Sequence, residues 1–305
     1  MRDGEWRGIL AAMLSSTLGG TAVVVTRLII GDTDPITLAL LRYGIGVALL
    51  WLILAARRHA MVERRDLAAV IVLGILLFAI FPSLFNLALA WTTAARGALA
   101  LSTLPLLTLL LAAGMRAEPV TAQKLAGVTL AVVGVGLALA GDLASAPAGA
   151  WRGDLVMVAT AACGAAYNVL SRPYVRRYPA LPFTAQPMLA GATALLLLTL
   201  LRGGLGSIAA LPGWAWLGIA WLGVMGAAAA FWLWSVGLEY TTPTRVAVTV
   251  TVNPIVAMSL GGWLLAEPVT PSLVGGMLAV AAGIGLVSLP DHFGGGLARD
   301  RQADR

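Results

Sequence analysis

Arg245, Thr249 and Asn253 stand four residues apart, and the series ends at Pro254. On a helix this spacing puts a cation, a hydroxyl and an amide on one face. Such a face can hydrogen-bond a small polar molecule, but it holds no nucleophile–base pair with which to break one. Similar groups recur in otherwise apolar surroundings. Tyr167, Asn168 and Ser171 lie close together, as do Trp232, Trp234 and Ser235. Ser83 and Asn86 follow Pro82, whose ring frees the carbonyl of Phe78 from its helical donor. Thr17 and Thr21 are one turn apart, and Arg27 and Arg42 interrupt apolar runs.

Each group also has a plainer use. A membrane Ser or Thr bonds the carbonyl one turn back. An Asn can tie two helices together. Trp and Tyr near span ends form interface belts, and a long Arg can snorkel to the surface. The residues that could line a substrate cavity are Thr17, Thr21, Arg42, Ser83, Asn86, Tyr167, Asn168, Trp232, Ser235, Thr249 and Asn253. The amides are the sharpest of these, because burying an unpaired amide is costly.

The elements that must position them are membrane helices. Apolar residues make up 59% of the 305 and charged residues 11%, against about 25% charged in a soluble domain. Mean hydropathy is +0.90. Crossing the hydrocarbon takes about 20 apolar residues as a helix, and ten such runs are present: 6–30, 35–56, 67–90, 94–115, 121–140, 153–172, 181–201, 214–239, 243–265 and 270–289. The expected fold class is therefore an all-α integral membrane protein of ten transmembrane helices. Residues 291–305 form an expected flexible tail. The first run, from Gly8 to Ile30, is too long for a cleaved signal. Cys163 is the single cysteine, so no intrachain disulfide forms and packing is its expected role.

A pI near 10.2 does not point to nucleic acid, because the basic residues sit in short clusters between apolar runs. With the N-terminus inside, the inner segments hold Arg2, Arg7, Arg57, Arg58, Arg64, Arg65, Arg116, Lys124, Arg172, Arg176, Arg177, Arg245, Arg299, Arg301 and Arg305, fifteen of the 20 Lys and Arg. The outer segments hold three, Arg96, Arg152 and Arg202. That bias places both termini in the cytoplasm, as in a multi-pass protein of a plasma (inner) membrane.

The pentapeptide AEPVT occurs at 117–121 and again at 266–270, an offset of 149. The same offset lays LAWTTAARGALALSTLP (89–105) on LEYTTPTRVAVTVTVNP (238–254), pairing Thr92, Thr93, Arg96 and Pro105 with Thr241, Thr242, Arg245 and Pro254. Beyond it, Gly127, Gly134 and Gly136 fall on Gly276, Gly283 and Gly285; an offset of 145 pairs Gly8, Gly19 and Arg27 with Gly153, Gly164 and Arg172. The chain is thus two five-span halves, 1–142 and 150–290. Five is odd, so the second half enters the membrane inverted, as in carriers that alternate access around a central site. Within the pentapeptide, Pro119 and Pro268 suit a first helical turn, Glu118 and Glu267 the positive end of that helix, and Thr121 and Thr270 its cap. Gly19, Gly20, Gly134, Gly136, Gly283 and Gly285 are expected to let helices approach closely.

Ten spans, two halves, the AEP-x-T turns, the G-x(6)-G-x-G pattern after them and the Arg42–Tyr43 pair of LRYGIG resemble the drug/metabolite transporter superfamily, specifically its EamA family, over about residues 6–289. The resemblance implies a ten-helix carrier of small metabolites, similar to YddG-type amino-acid exporters. Purines, nucleosides, drugs and sugar conjugates are its other expected solutes.

The residues themselves favour small amphipathic solutes, with neutral or aromatic amino acids foremost, because amides, hydroxyls and aromatic faces are on offer without a fixed anion. Every Asp and Glu lies in a loop or at a helix end, and His59 and His292 lie in loops or tails, so no intramembrane proton-coupling group is expected. No cofactor and no metal set is expected. A polytopic membrane enzyme would need clustered acids or histidines. The closest pair, Glu63 and Asp66, reads as solvated charge in a basic loop. A channel would need a pore lined by charges or carbonyls. The expected partners are a small-molecule substrate and the lipid bilayer, with no nucleic acid; the sequence fixes no oligomeric state.

Overall fold

A computed structural model describes residues 3–57, 61–116, 121–141 and 146–288. Among these every regular element is helical. The ten principal helices are α1 (Asp3–Ile29), α2 (Pro35–Arg57), α3 (Leu67–Trp91), α4 (Ala94–Gly114), α5 (Ala122–Gly141), α6 (Ala150–Leu170), α7 (Ala180–Leu201), α8 (Gly213–Tyr240), α9 (Pro243–Leu264) and α10 (Pro271–Ser288). Among the described residues, nine are long and apolar enough to cross a membrane. The tenth expected span, α10, is shorter at 18 residues, with an apolar run over Pro271–Gly283. The copy of AEPVT at 117–121 is described only at Thr121, and the tail 291–305 lies outside the described residues.

Four helices break at positions related by the 149-residue offset. A π-helical turn at Leu76–Ile80 interrupts α3, and another at Val224–Ala229 interrupts α8. Pro82 follows the first, but Phe231 stands at the matching place after the second, so proline is not the common cause. Helix α4 opens between Leu101 and Leu104, and α9 tightens to a 3-10 turn at Thr249–Thr251. Each lies just before a proline, Pro105 or Pro254, which supplies no N–H to the preceding turn.

The duplicated Thr-Thr-x-x-Arg motif opens α4 and α9. Thr93 caps α4 by accepting from the Arg96 amide at 3.3 Å, and Thr242 caps α9 by accepting from the Arg245 amide at 3.4 Å. A capping hydroxyl satisfies one of the first four amides of a helix, which have no partner within it.

Packing follows the same two-fold. Helix α1 lies against α8 and α9; its counterpart α6 lies against α3 and α4. Helices α2 and α7, α4 and α9, and α5 and α10 pack as matched pairs. Between α5 and α10, Gly134 faces Ala279, Gly276 faces Ala138 and Gly283 faces the Gly127 carbonyl. Gly19 and Gly20 of α1 meet Asn253 and Val256 of α9. Gly136 and Gly285 have nothing within 4 Å of a built Cβ, so the close-approach role expected of them belongs to their neighbours.

The inversion is visible at one face. Arg27, in the last turn of α1, lies 3.7 Å from Glu267 in the α9–α10 loop. Glu267 accepts from the Ala94 amide at the start of α4, at 2.9 and 3.1 Å. Asp154, in the second turn of α6, meets Arg96 of α4. The end of α1 and the start of α6 therefore share a face, and the two run antiparallel. Glu267 does not serve the positive end of its own α10, as the sequence implied; it caps a helix of the other half. Thr270 does cap α10, through the Leu273 amide at 3.4 Å, and Thr121 caps α5 through the Lys124 amide at 3.3 Å.

Candidate functional site

Where the breaks of α3, α4, α8 and α9 face α1 and α6, a cavity of about 90 Å³ remains. Its wall repeats the two-fold. Gly19 and Gly164, Leu77 and Gly226, Phe81 and Ala230, Phe85 and Trp234, Leu101 and Val250, and Leu104 and Asn253 all line it. The first pair is related by the 145 offset and the rest by 149. The cavity thus sits on the pseudo-symmetry axis between the halves. It is smaller than the roughly 300–1,000 Å³ of small-molecule sites, so a bound metabolite requires the halves to part.

The polar part of the wall is not symmetric. It comes from Arg42, Asn168 and Asn253, with Ser15 and Ser16 beside them. Arg42 is 5% exposed, which excludes the snorkelling geometry. Its Nη2 donates to the Gly226 carbonyl at 2.6 Å, inside the π-helical turn of α8. Its guanidinium carbon is 5.2 Å from the ring centroid of Tyr43. Its Nε is buried without an acceptor, and no carboxylate among the described residues pairs with it. Asn168 Oδ1 accepts from the indole nitrogen of Trp234 at 2.9 Å, which leaves its buried Nδ2 without an acceptor. Asn253 Oδ1 is buried without a donor. Three polar atoms without partners thus belong to residues of this one cavity wall, which makes it the candidate site.

The remaining residues expected in a cavity are placed elsewhere. Thr17 lies on the outward face of α1 and donates to the Met13 carbonyl. Thr21 donates to Leu18 and accepts from Trp221. Both are off the lining by a rotation of the helix, about 100° per residue, which brings Ser15, Ser16 and Gly19 inward instead. Trp232 is 41% exposed; Trp234, two residues on, faces the cavity. Ser83 donates to the Ala79 carbonyl, and Asn86 donates to the Pro35 carbonyl at 2.8 Å, joining α3 to α2. Tyr167 is buried edge-on to Phe78, 6.4 Å between centroids, outside the lining. Ser235 accepts from Thr184 at 2.7 Å, which ties α8 to α7. Thr249 lies one layer behind, 2.8 Å from the Ser16 hydroxyl that does line the cavity. The expected stripe of α9 is split. Arg245 pairs with Glu5 at the far end of the helix, and only Asn253 reaches the cavity.

Phe81, Phe85 and Phe231 also line the cavity, with no polar group to single them out in the sequence. The internal repeat marks one of them, since Phe85 takes the place of Trp234 in the other half, whereas Phe81 and Phe231 stand opposite Ala230 and Pro82. Asp66 also differs from its reading as solvated charge. It accepts from the Tyr178 hydroxyl at 2.5 Å and Arg177 Nη1 at 2.7 Å, joining the α2–α3 and α6–α7 loops. The Tyr178 hydrogen bond foremost, with Arg177, holds its carboxyl below the usual carboxylate range.

Residues 6–140 and 151–289 each match the EamA-like transporter family. The chain belongs to that family. An uncharacterized transporter, YyaM, of Bacillus subtilis (strain 168) is 25% identical over 285 residues, covering 91% of this chain and 93% of the relative. An uncharacterized transporter of Archaeoglobus fulgidus is 28% identical over 281 residues, covering 90% and 96%. A probable terminal-alkyne amino-acid exporter of Streptantibioticus cattleyicolor is 27% identical over 219 residues, covering 71% and 72%. A solved crystal structure superposes with a TM-score of 0.69 over 98% of both chains at 23% identity, which speaks for the fold. This EamA member is accordingly a multi-pass membrane transporter, and the axial cavity is its candidate solute site.

Proposed function

We propose that this transporter exports small amphipathic metabolites, foremost neutral and aromatic amino acids, by alternating access around the axial cavity. The observation that carries the reading is the mixed wall. One buried cation and two buried amides stand beside Phe81, Phe85, Phe231 and Trp234. An amino acid offers a charged end to the first group and an apolar side chain to the second. The name of the Streptantibioticus relative, an amino-acid exporter, supports the same class. The excess of Lys and Arg on the Glu5 side supports cytoplasmic termini. The polar wall lacks a carboxylate among the lining residues, which disfavours purely cationic drugs.

Counterflow of radiolabelled L-phenylalanine and L-leucine in proteoliposomes is the test. Exchange is expected in the wild type, lost in Trp234→Ala and retained in Trp232→Ala. Absence of amino-acid exchange, with exchange of a nucleoside or sugar conjugate instead, would replace this substrate class by another.

A further inference from the structure

We infer that Arg42, Asn168 and Asn253 divide the charged end of the substrate between them. The Arg42 guanidinium and the Asn168 amide nitrogen take a carboxylate, and the Asn253 amide oxygen takes the adjoining ammonium group. The ammonium half rests on the amino-acid reading above; the carboxylate half does not.

The donor and acceptor types at Arg42 and Asn168 are fixed by their neighbours. An indole N–H can only donate, so Trp234 obliges Asn168 to turn its oxygen toward the ring and its nitrogen away. Arg42 spends Nη2 on the Gly226 carbonyl and leaves Nε over. Two unused donors, one of them on a cation, suit a carboxylate, which only accepts. Asn253 Oδ1, an acceptor buried there without a donor, suits an ammonium, which only donates.

The register of the repeat strengthens the assignment. A Cβ on Gly46 would lie 3.3 Å from the Gly223 carbonyl oxygen, and one on Gly191 would lie 2.7 Å from that of Gly74. These are the same contact in the two halves, Gly46 matching Gly191 at the 145 offset and Gly74 matching Gly223 at the 149 offset. By these offsets the counterpart of Arg42 is Pro187, that of Asn168 is Val23 and that of Asn253 is Leu104. The apolar frame is therefore two-fold while each orphaned polar group exists once. A symmetric pocket with one polar wall orients a solute that has one charged end and one apolar end.

The test uses the full-length protein with three probes of one shape: L-phenylalanine, 3-phenylpropanoate (no ammonium) and phenylalaninamide (no carboxylate). Binding is read as thermal stabilisation, and transport as competition in counterflow. The amide is expected to bind roughly tenfold or more weakly than phenylalanine, since a charge-assisted pair is lost. Arg42→Gln should erase that difference. Arg42→Lys, which keeps the charge, should retain part of it and guards against a folding defect in the first variant. Asn253→Leu, the counterpart residue, should weaken phenylalanine and spare 3-phenylpropanoate. Equal binding of acid and amide by the wild type overturns the anchor and leaves the amino-acid reading standing. Binding of 3-phenylpropanoate but not phenylalanine overturns the amino-acid reading and the Asn253 role, and leaves Arg42 in place. No binding of any probe by the folded wild type overturns both.

A separate observation carries a second inference. We propose that Arg96–Asp154 and Arg245–Glu5 are matched latches that close opposite mouths of the cavity. Arg96 and Arg245 are repeat counterparts at the starts of α4 and α9, and each pairs with an acid on the first helix of the other half. The acids are not strict counterparts. Asp154 follows Gly153, which matches Gly8, whereas Glu5 precedes Gly8 by three, one turn nearer its helix end. The latches are accordingly unequal. Arg96 and Asp154 side chains are 1% and 11% exposed, and those of Arg245 and Glu5 are 36% and 23%. In this conformation the mouth on the Arg96 side is the more firmly shut.

In a Cys163→Ser background with Ala230→Cys on the cavity wall, an impermeant thiol reagent applied from one face at a time reads which mouth is open. Asp154→Asn should raise labelling severalfold from the Arg96 face alone. Glu5→Gln should raise it from the Glu5 face alone. Exchanging the charges, Arg96→Asp with Asp154→Arg, should restore protection. Unchanged labelling, or an equal rise from both faces, overturns the latch assignment.

Discussion

Arg96 Nη2 lies 2.5 Å from Asp154 Oδ2, a contact that ties α4 of the first half to α6 of the second. Arg96 also donates to the Leu139 carbonyl at 2.9 Å, and Asp154 accepts from the Thr92 hydroxyl at 2.8 Å. Breaking a buried pair strands a charge, at a cost of about 3–5 kcal/mol. Asp154→Ala is therefore expected to cost that much in denaturant unfolding in detergent. Glu5→Ala, which breaks the more exposed pair, should cost less than about 1 kcal/mol. Equal losses would contradict the difference in burial.

The α5–α10 interface makes a prediction about glycine that composition alone could not. A Cβ on Gly276 would lie 3.0 Å from the Gly134 carbonyl oxygen and closer still to Ala138, whereas one on Gly285 meets nothing. Gly276→Val is expected to destabilise by about 1–3 kcal/mol through overpacking. Gly285→Ala should be neutral or stabilise by up to about 1 kcal/mol through helix propensity. Thermal unfolding of the two variants side by side checks both signs.

The Asp66 contacts predict a pH dependence. Its carboxyl is held below the usual range by Tyr178 and Arg177. A carboxylate with a depressed folded value contributes stability that is fully present above its ordinary, unfolded value. That contribution is lost as pH falls through the folded value. Asp66→Asn should therefore be less stable than the wild type at neutral pH, and the two should converge as pH falls below the carboxylate range. Melting curves from neutral pH to pH 3 would show the convergence; a constant gap would refute it.

Orientation can be tested at two exposed loop sites. Arg116 lies just past the end of α4 on the Glu5 face, and Pro268 lies in the α9–α10 loop on the Arg96 face. In intact cells carrying the Cys163→Ser background, Pro268→Cys is expected to react with an impermeant thiol reagent and Arg116→Cys to react only after permeabilisation. Labelling of both from one side would contradict the inverted arrangement.

The span limits were legible because a membrane helix needs a run of apolar residues about as long as the hydrocarbon is thick. The duplication of Thr-Thr-x-x-Arg and AEPVT gave the two halves, and an odd number of spans gave the inversion. Arg96 shows where that reading ended. Counted as an outer-loop charge, it is 1% exposed and paired. Hydropathy records that a charge stands at a span end, not which helix faces it.

The cavity was legible in its chemistry and only partly in its members. Arg42, Asn168 and Asn253 were named from sequence, and all three line it. Thr17, Thr21 and Trp232 were named on the same grounds and face outward or sideways. In a chain this apolar, both faces of a helix read alike, so the rotation that separates Thr17 from Ser16 has no signature in composition. By itself the sequence determined the membrane fold, its two inverted halves and the kinds of polar group available. Only the tertiary structure decided which of them meet, because facing is set by the packing of α1 against α8 and α9, and of α6 against α3 and α4. Those contacts join residues as far apart as Glu5 and Arg245, and no local pattern encodes them.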